Sequence, residues 1–295
     1  MFIAPIGNYA RHKNEPAPRS IRAGARPRCG ESAALLIDRP ELSPSLGFVA
    51  DSAGVHSSRT LMLAELRLIL AACPSTTGVE GYRAAVVEEN ALLKNTATTR
   101  RATFKWLRQL YALDPVLPLF GALRRLWDAD PAGQPLLALL CAMARDPLLH
   151  VSAPVILDSK VGEQVTWQRL AGTIDAAHPG RLNGTTLAAT GRNMASTWQQ
   201  SGHLSGKLRK VRVRVQPTPA STAYALLLGH LSGERGIGLF ATPWARLLDA
   251  TPLALDQQAF AAAQRGWLDY RRIGEIADFG FSNLLTPLGD VDGER

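Results

Sequence analysis

Residues Pro135 to Ala144 run Pro-Leu-Leu-Ala-Leu-Leu-Cys-Ala-Met-Ala, ten positions without a polar side chain. A helix apolar on every side is stable only when other elements enclose it. The run is about half as long as a membrane span requires, so it predicts the buried helix of a helical bundle. Cys141 and Met143 then serve as packing residues. At 295 residues, 46% hydrophobic and 20% charged, the chain has enough apolar material for about two domains, and wholesale disorder is excluded. Cys29, Cys73 and Cys141 are odd in number and far apart, which argues against a disulfide framework or a cysteine metal site. The first residues show no long apolar stretch, so no secretion signal is expected. The expected setting is the reducing cytoplasm, with no membrane partner.

Prolines 5, 16, 18, 27, 40 and 44 and a cluster of arginines mark residues 1–50 as a flexible basic extension. Residues 51–150 read as an N-terminal helical domain with a helix-turn-helix-like unit. Residues 151–288 read as a winged-helix-like C-terminal domain, and 289–295 as a frayed tail. In the first domain, a helix beginning near Ser57 or Ser58 would bury Leu61, Leu63, Ala64, Leu68 and Ala71. A second helix is expected over 79–90. A third, over 98–113, would be capped by Asn95 or Thr96 and would bury Phe104, Leu107, Leu110 and Tyr111. Helices over 119–127 and 135–144 follow, with His150 read as structural, then a helical stretch over 158–177. The segment Asn183-Gly184-Thr185-Thr186 is expected to cap a helix ending near Gln200, with Leu187, Met194 and Trp198 inward. From 210 to 215 the alternation Lys-Val-Arg-Val-Arg-Val predicts a strand with three valines on one face and Lys210, Arg212 and Arg214 on the other. Pro217 and Pro219 should stop it. Helices over 221–230, 243–248 and 255–265 precede two strands joined at Gly274.

The charge is unevenly placed. Residues 90–113 hold no acid and five basic residues, Lys94, Arg100, Arg101, Lys105 and Arg108. Residues 176–233 hold no acid and seven, Arg181, Arg192, Lys207, Arg209, Lys210, Arg212 and Arg214. The remainder of the chain carries 21 basic and 25 acidic side chains. Two basic concentrations on an otherwise slightly acidic chain suit a polyanion, although a solvated face also looks like this.

Motifs of catalysis are missing. No phosphate-binding Gly-x-x-x-x-Gly-Lys loop, Gly-x-Ser-x-Gly elbow, dinucleotide fingerprint or His-Glu-x-x-His pair occurs. Glu88 and Glu89 are adjacent and do not face each other on a helix. Gly-His-Leu-Ser-Gly occurs twice, at 202–206 and 229–233. Helix C-caps explain both copies better than a His203–His230 metal pair, which lacks a third ligand. The reading is a non-catalytic protein with no cofactor, no metal and no small-molecule substrate.

A helix with a basic outer face after a tight turn is the ingredient of a helix-turn-helix. Thr98, Thr99, Arg100 and Arg101 occupy its first turn, with chemistry suited to phosphate and guanine. A capped helix, a glycine turn and a basic strand over 185–215 suggest a winged helix. The run Arg83-Ala-Ala-Val-Val-Glu-Glu-Asn-Ala-Leu-Leu-Lys94 with Asn95-Thr-Ala-Thr-Thr-Arg-Arg101 resembles the BrxA family of bacteriophage-exclusion (BREX) defence systems. Ala144-Arg-Asp-Pro-Leu-Leu149, the Gly202–Gly206 segment and Arg265-Gly-Trp-Leu-Asp269 follow in similar order, so the likeness covers roughly residues 55–285. The resemblance implies a mostly α, NusB-like helical bundle with helix-turn-helix or winged-helix elements and short β-hairpins. It implies DNA binding without catalysis alongside other defence-system proteins of a bacterial phage-defence locus, and the position of Phe104, Tyr111 and Trp198 on apolar faces favours double-stranded DNA. The expected contacts are Lys94, Thr98, Thr99, Arg100, Arg101, Lys105, Arg108, Arg192, Lys207, Arg209, Lys210, Arg212 and Arg214. The alternative is an RNA-binding or protein-interaction module of the same fold acting as an assembly factor. Exposed aromatics beside basic residues would favour it.

Overall fold

The computed structural model describes residues 44–49, 54–286 and 288. Most of the expected extension 1–50 and the tail 289–295 lie outside them, as does Cys29. A 3-10 turn at Val55–Ser57 leads into α1 (Leu63–Ala72), α2 (Val79–Val87), α3 (Ala97–Tyr111), α4 (Pro118–Trp127), α5 (Gln134–Met143), α6 (Pro147–Leu157), α7 (Trp167–Ala177) and α8 (Gly184–Gln200). A hairpin of β1 (Leu204–Ser205) and β2 (Val211–Arg212) follows. Next come α9 (Pro219–Leu231), α10 (Pro243–Arg246) and α11 (Pro252–Gln264). A second hairpin, β3 (Asp269–Ile273) and β4 (Ile276–Gly280), precedes α12 (Ser282–Leu285). The chain is thus mostly helical, with two small antiparallel hairpins.

The apolar run is α5, and every residue from Leu136 to Met143 is buried. It packs against α3, α4, α6 and α9. α9 is buried from Ala220 to Gly229 and forms the second half of this centre. Each fully buried leucine here contributes about 2 kcal/mol. Two of the enclosed tyrosines are satisfied by backbone: the Tyr224 hydroxyl donates to the Leu119 carbonyl at 2.9 Å and the Tyr111 hydroxyl to that of Leu61. The buried apolar side chains form one contiguous cluster running from Phe48 to Leu284. Residue 150, where a domain boundary is expected, lies inside α6.

Four helices begin with the same device. Asp146, Thr218, Thr242 and Thr251 are N-caps, each followed by proline at the first helical position. Proline has no N–H to leave unpaired there and its φ already suits the helix. Pro219 therefore starts α9 and does not merely stop a strand.

The structure corrects several sequence expectations. α1 starts at Leu63 after Met62 in a left-handed conformation (φ 52°), not at Ser57. It buries Leu63, Leu66, Ile69 and Leu70, while Leu68 is exposed, because a leucine-rich stretch offers two apolar faces and the neighbours choose one. α6 was not anticipated as a helix: Asp146 caps it through the Leu148 and Leu149 N–H groups, and Pro154 is accommodated within it. Of the stretch 158–177 only 167–177 is helical. The second Gly-His-Leu-Ser-Gly copy starts inside α9, so only the first follows a helix as a whole, although Gly233 (φ 94°) still terminates α9 in the left-handed region.

Candidate nucleic-acid interface

Two surfaces carry the basic residues, and both are anchored to the turn at Val55–Ser57, against which α3 and α8 pack. The anchor is Asp146. Its carboxylate accepts from the backbone N–H of Val55 (2.6 Å) and His56 (3.0 Å), from the His56 ring at Nδ1 (2.7 Å), and from the two N–H groups it caps. Burial opposes ionisation, but attraction and hydrogen bonds from His56, with the backbone bonds, hold the Asp146 carboxyl below the usual carboxylate range. His56 Nε2 shares a 2.9 Å hydrogen bond with the hydroxyl of Thr197 on α8. Asp146, His56 and Thr197 have the order of a nucleophilic triad. All three are sealed from solvent, so no substrate reaches the hydroxyl. The chain braces α8 against α6 and the 55–57 turn.

The first surface is α3. The Thr96 side chain accepts from the Thr99 N–H, the cap expected from sequence. Phe104, Leu107, Leu110 and Tyr111 are buried, while Arg101, Lys105 and Arg108 are exposed and make no ion pair among the described residues. Lys105 lies over the Trp106 ring, 4.8 Å from its centre. Thr98 is exposed, the Thr99 hydroxyl shares a hydrogen bond with that of Thr96, and Arg100 is half-buried. Lys94 departs from the expectation: it pairs with Glu65 of α1 at 3.0 Å and ties the α2–α3 link to the bundle. That link, residues 88–96, is longer than the roughly three to four residues of a helix-turn-helix turn, with Asn90 and Leu93 at positive φ. α2 and α3 are therefore not joined by the tight turn expected.

The second surface is α8 with the β1–β2 hairpin. Asn183 caps α8 through the Thr186 N–H, and Met194 and Trp198 are buried, as the spacing predicts. Gly191 sits where a Cβ would lie 2.5 Å from the Trp167 carbonyl, so α7 and α8 approach closely there. Before α7, residues 162–165 run antiparallel to β2: the Gly162 N–H donates to Arg212 at 2.9 Å, Val165 to Lys210 at 2.9 Å, and Arg212 to Glu163 at 2.8 Å. The order from α6 is helix, bridged segment, helix, helix, hairpin. The hairpin turns at Gly206 (φ 102°), where a Cβ would meet the Arg209 carbonyl at 2.0 Å. Lys207, Leu208 and Arg209 are exposed at its tip, as are Arg192 on α8 and Arg214 beyond β2. Lys210 is half-buried and donates to the Gln199 side chain, and burial lowers its pKa.

Arg212 is the main correction. Sequence alternation puts it on the solvent face with Lys210 and Arg214, yet it is 3% exposed. Its guanidinium donates to the carbonyls of Ile156 (2.8 Å), His203 (3.4 Å) and Val213, and pairs with Asp249. It knits α6, the hairpin and the residues after α10. Val215 is buried, whereas Val211 and Val213 are only half-buried, because a two-residue pairing is too short to impose a regular pleat.

Trp167 escaped the sequence reading. It is the first residue of α7 after the Thr166 cap, and the Arg192 guanidinium lies over its ring at 4.9 Å. The only signal available was an aromatic next to a cap, which says nothing about a partner 25 positions away. No helix among the described residues is long and apolar enough to cross a membrane, and no group of three or more potential metal ligands occurs among them. Compared with known proteins, the chain matches no family model and no curated protein.

Proposed function

We propose that this protein binds double-stranded DNA without catalysis, placing α8 in the major groove and the β1–β2 hairpin along the backbone, with the α3 stripe as a second phosphate contact. The carrying observation is the helix, helix, hairpin order, read as a winged helix, with Arg192, Lys207, Arg209, Lys210 and Arg214 on α8 and the hairpin region, and no carboxylate on either element. In such an arrangement the recognition helix meets base edges and the cations position it on phosphates. The further reading, a component of a phage-exclusion system working in the cytoplasm with other defence proteins, rests on the resemblance to the BrxA family. The sealed Asp146–His56–Thr197 chain favours binding over chemistry.

The test is titration of a labelled 20-base-pair duplex with the protein over a salt series. With about six phosphates neutralised, log affinity falls against log salt with a slope of about −5. Changing Lys207, Arg209 and Arg214 together to alanine flattens the slope by about one unit per lost contact, and so does the Arg101, Lys105 and Arg108 set. Both variants keep the wild-type melting temperature within about 2 °C, since exposed charges contribute little to stability. A slope near zero, or variants that bind as the parent does, overturns the proposal.

A further inference from the structure

Between the hairpin, α8 and the start of α7 lies a cavity of about 400 Å³. Its wall includes Trp167, Arg192, Lys207, Lys210, Gln164 and Gln168, and Ala195 leaves room at its side. Three properties coincide. The lining contains three cations and no acid, so an anion is favoured. It contains the Trp167 indole, with the Arg192 guanidinium over its ring 4.9 Å from the centre, and both groups can stack on nucleobases. It also contains two carboxamides, each with donors and an acceptor, which match the edge of an unpaired base. A base inside a duplex offers neither its face nor its Watson–Crick edge to such a pocket.

We propose that this cavity holds one unpaired nucleobase of a DNA strand, stacked at Trp167 and Arg192, with the adjoining phosphate held by Lys207 and Lys210. The protein then prefers duplexes carrying a single-stranded end to blunt ones. This rests on the duplex-binding reading above, since the pocket opens beside the same hairpin and helix.

Three probes separate base from charge: a 20-base-pair blunt duplex, the same duplex with a four-deoxyadenosine 3′ overhang, and one with a four-residue abasic overhang of equal phosphate count. The full-length protein binds the adenosine overhang about tenfold more tightly than the abasic one, as stacking of this kind commonly gives. Binding quenches indole fluorescence, and the quench is lost in Trp167→Leu. That variant and Arg192→Met bring the adenosine-to-abasic ratio to about one. Arg192 is exposed, so its variant keeps the test meaningful should Trp167→Leu fold poorly. Equal affinity for the two overhangs, or a ratio that survives in a folded variant, overturns the inference while leaving duplex binding standing. Failure to bind any of the three probes removes both.

Discussion

Replacing Arg212 with alanine tests whether the basic row on the hairpin is one surface or two kinds of residue. In the structure the guanidinium is 3% exposed, satisfies three backbone carbonyls and faces Asp249, whose side chain is 11% exposed. Asp249 also accepts from the Val215 N–H at 3.2 Å. Truncation leaves a mostly buried carboxylate without its countercharge, which costs about 3–5 kcal/mol. The stranded carbonyls add to this unless water enters. About 4 kcal/mol in a chain of this size lowers the melting temperature by about 10 °C. Arg214→Ala, two residues on and exposed, shifts it by about 2 °C or less. The assay is thermal unfolding followed by circular dichroism, with duplex titration of both variants below their transitions. Asp249→Ala completes a double-mutant cycle, in which the double variant loses clearly less than the two single losses combined. If Arg212→Ala melts like the parent and instead weakens DNA binding as Arg214→Ala does, the residue is a surface contact and this reasoning fails.

Two further perturbations probe the same half of the molecule. Burial pushes His150 and His203 down to about 4, against about 6.5 in an unfolded chain. Between those values the unfolded state takes up protons that the folded state refuses, so stability falls as pH drops through 6.5 to 4, by about 3 kcal/mol per histidine. Urea unfolding at pH 7 and pH 4.5 reads this. His150→Leu removes its share, and a pH-independent midpoint in the parent contradicts the assignment. Gly191→Ala puts a methyl 2.5 Å from the Trp167 carbonyl and 2.9 Å from the Ala171 Cβ. Overpacking of about 3 kcal/mol outweighs the gain of up to about 1 kcal/mol in helix propensity. The urea midpoint therefore falls, and an unchanged midpoint shows that α7 and α8 separate freely.

What the sequence revealed follows the reach of each interaction. The Thr96 and Asn183 caps act within three residues, and both helix starts were legible within a residue or two. The α5 run declared its burial because no face of it is polar. α6 was not legible from its apolar segment, although Asp146-Pro147 is a cap followed by a first-turn proline. Arg212 was assigned to solvent because alternation knows only its neighbours. Its burial is decided by carbonyls at 156 and 203 and a carboxylate at 249, each brought in by folding. Lys94 was counted as a DNA contact for the same reason, since Glu65 lies 29 positions earlier. The exposed set Arg101, Lys105 and Arg108 was readable because their helix buries its opposite face locally.

The chain from Asp146 through the His56 ring to Thr197 has a mechanical meaning. A load applied to α8 does not stop at that helix. It passes through one imidazole into the carboxylate that starts α6, and from there into the turn against which α3 also packs. The two basic surfaces are thereby connected by buried hydrogen bonds from α8 to the turn and by packing from the turn to α3. Displacing α8 therefore also strains the turn on which α3 rests.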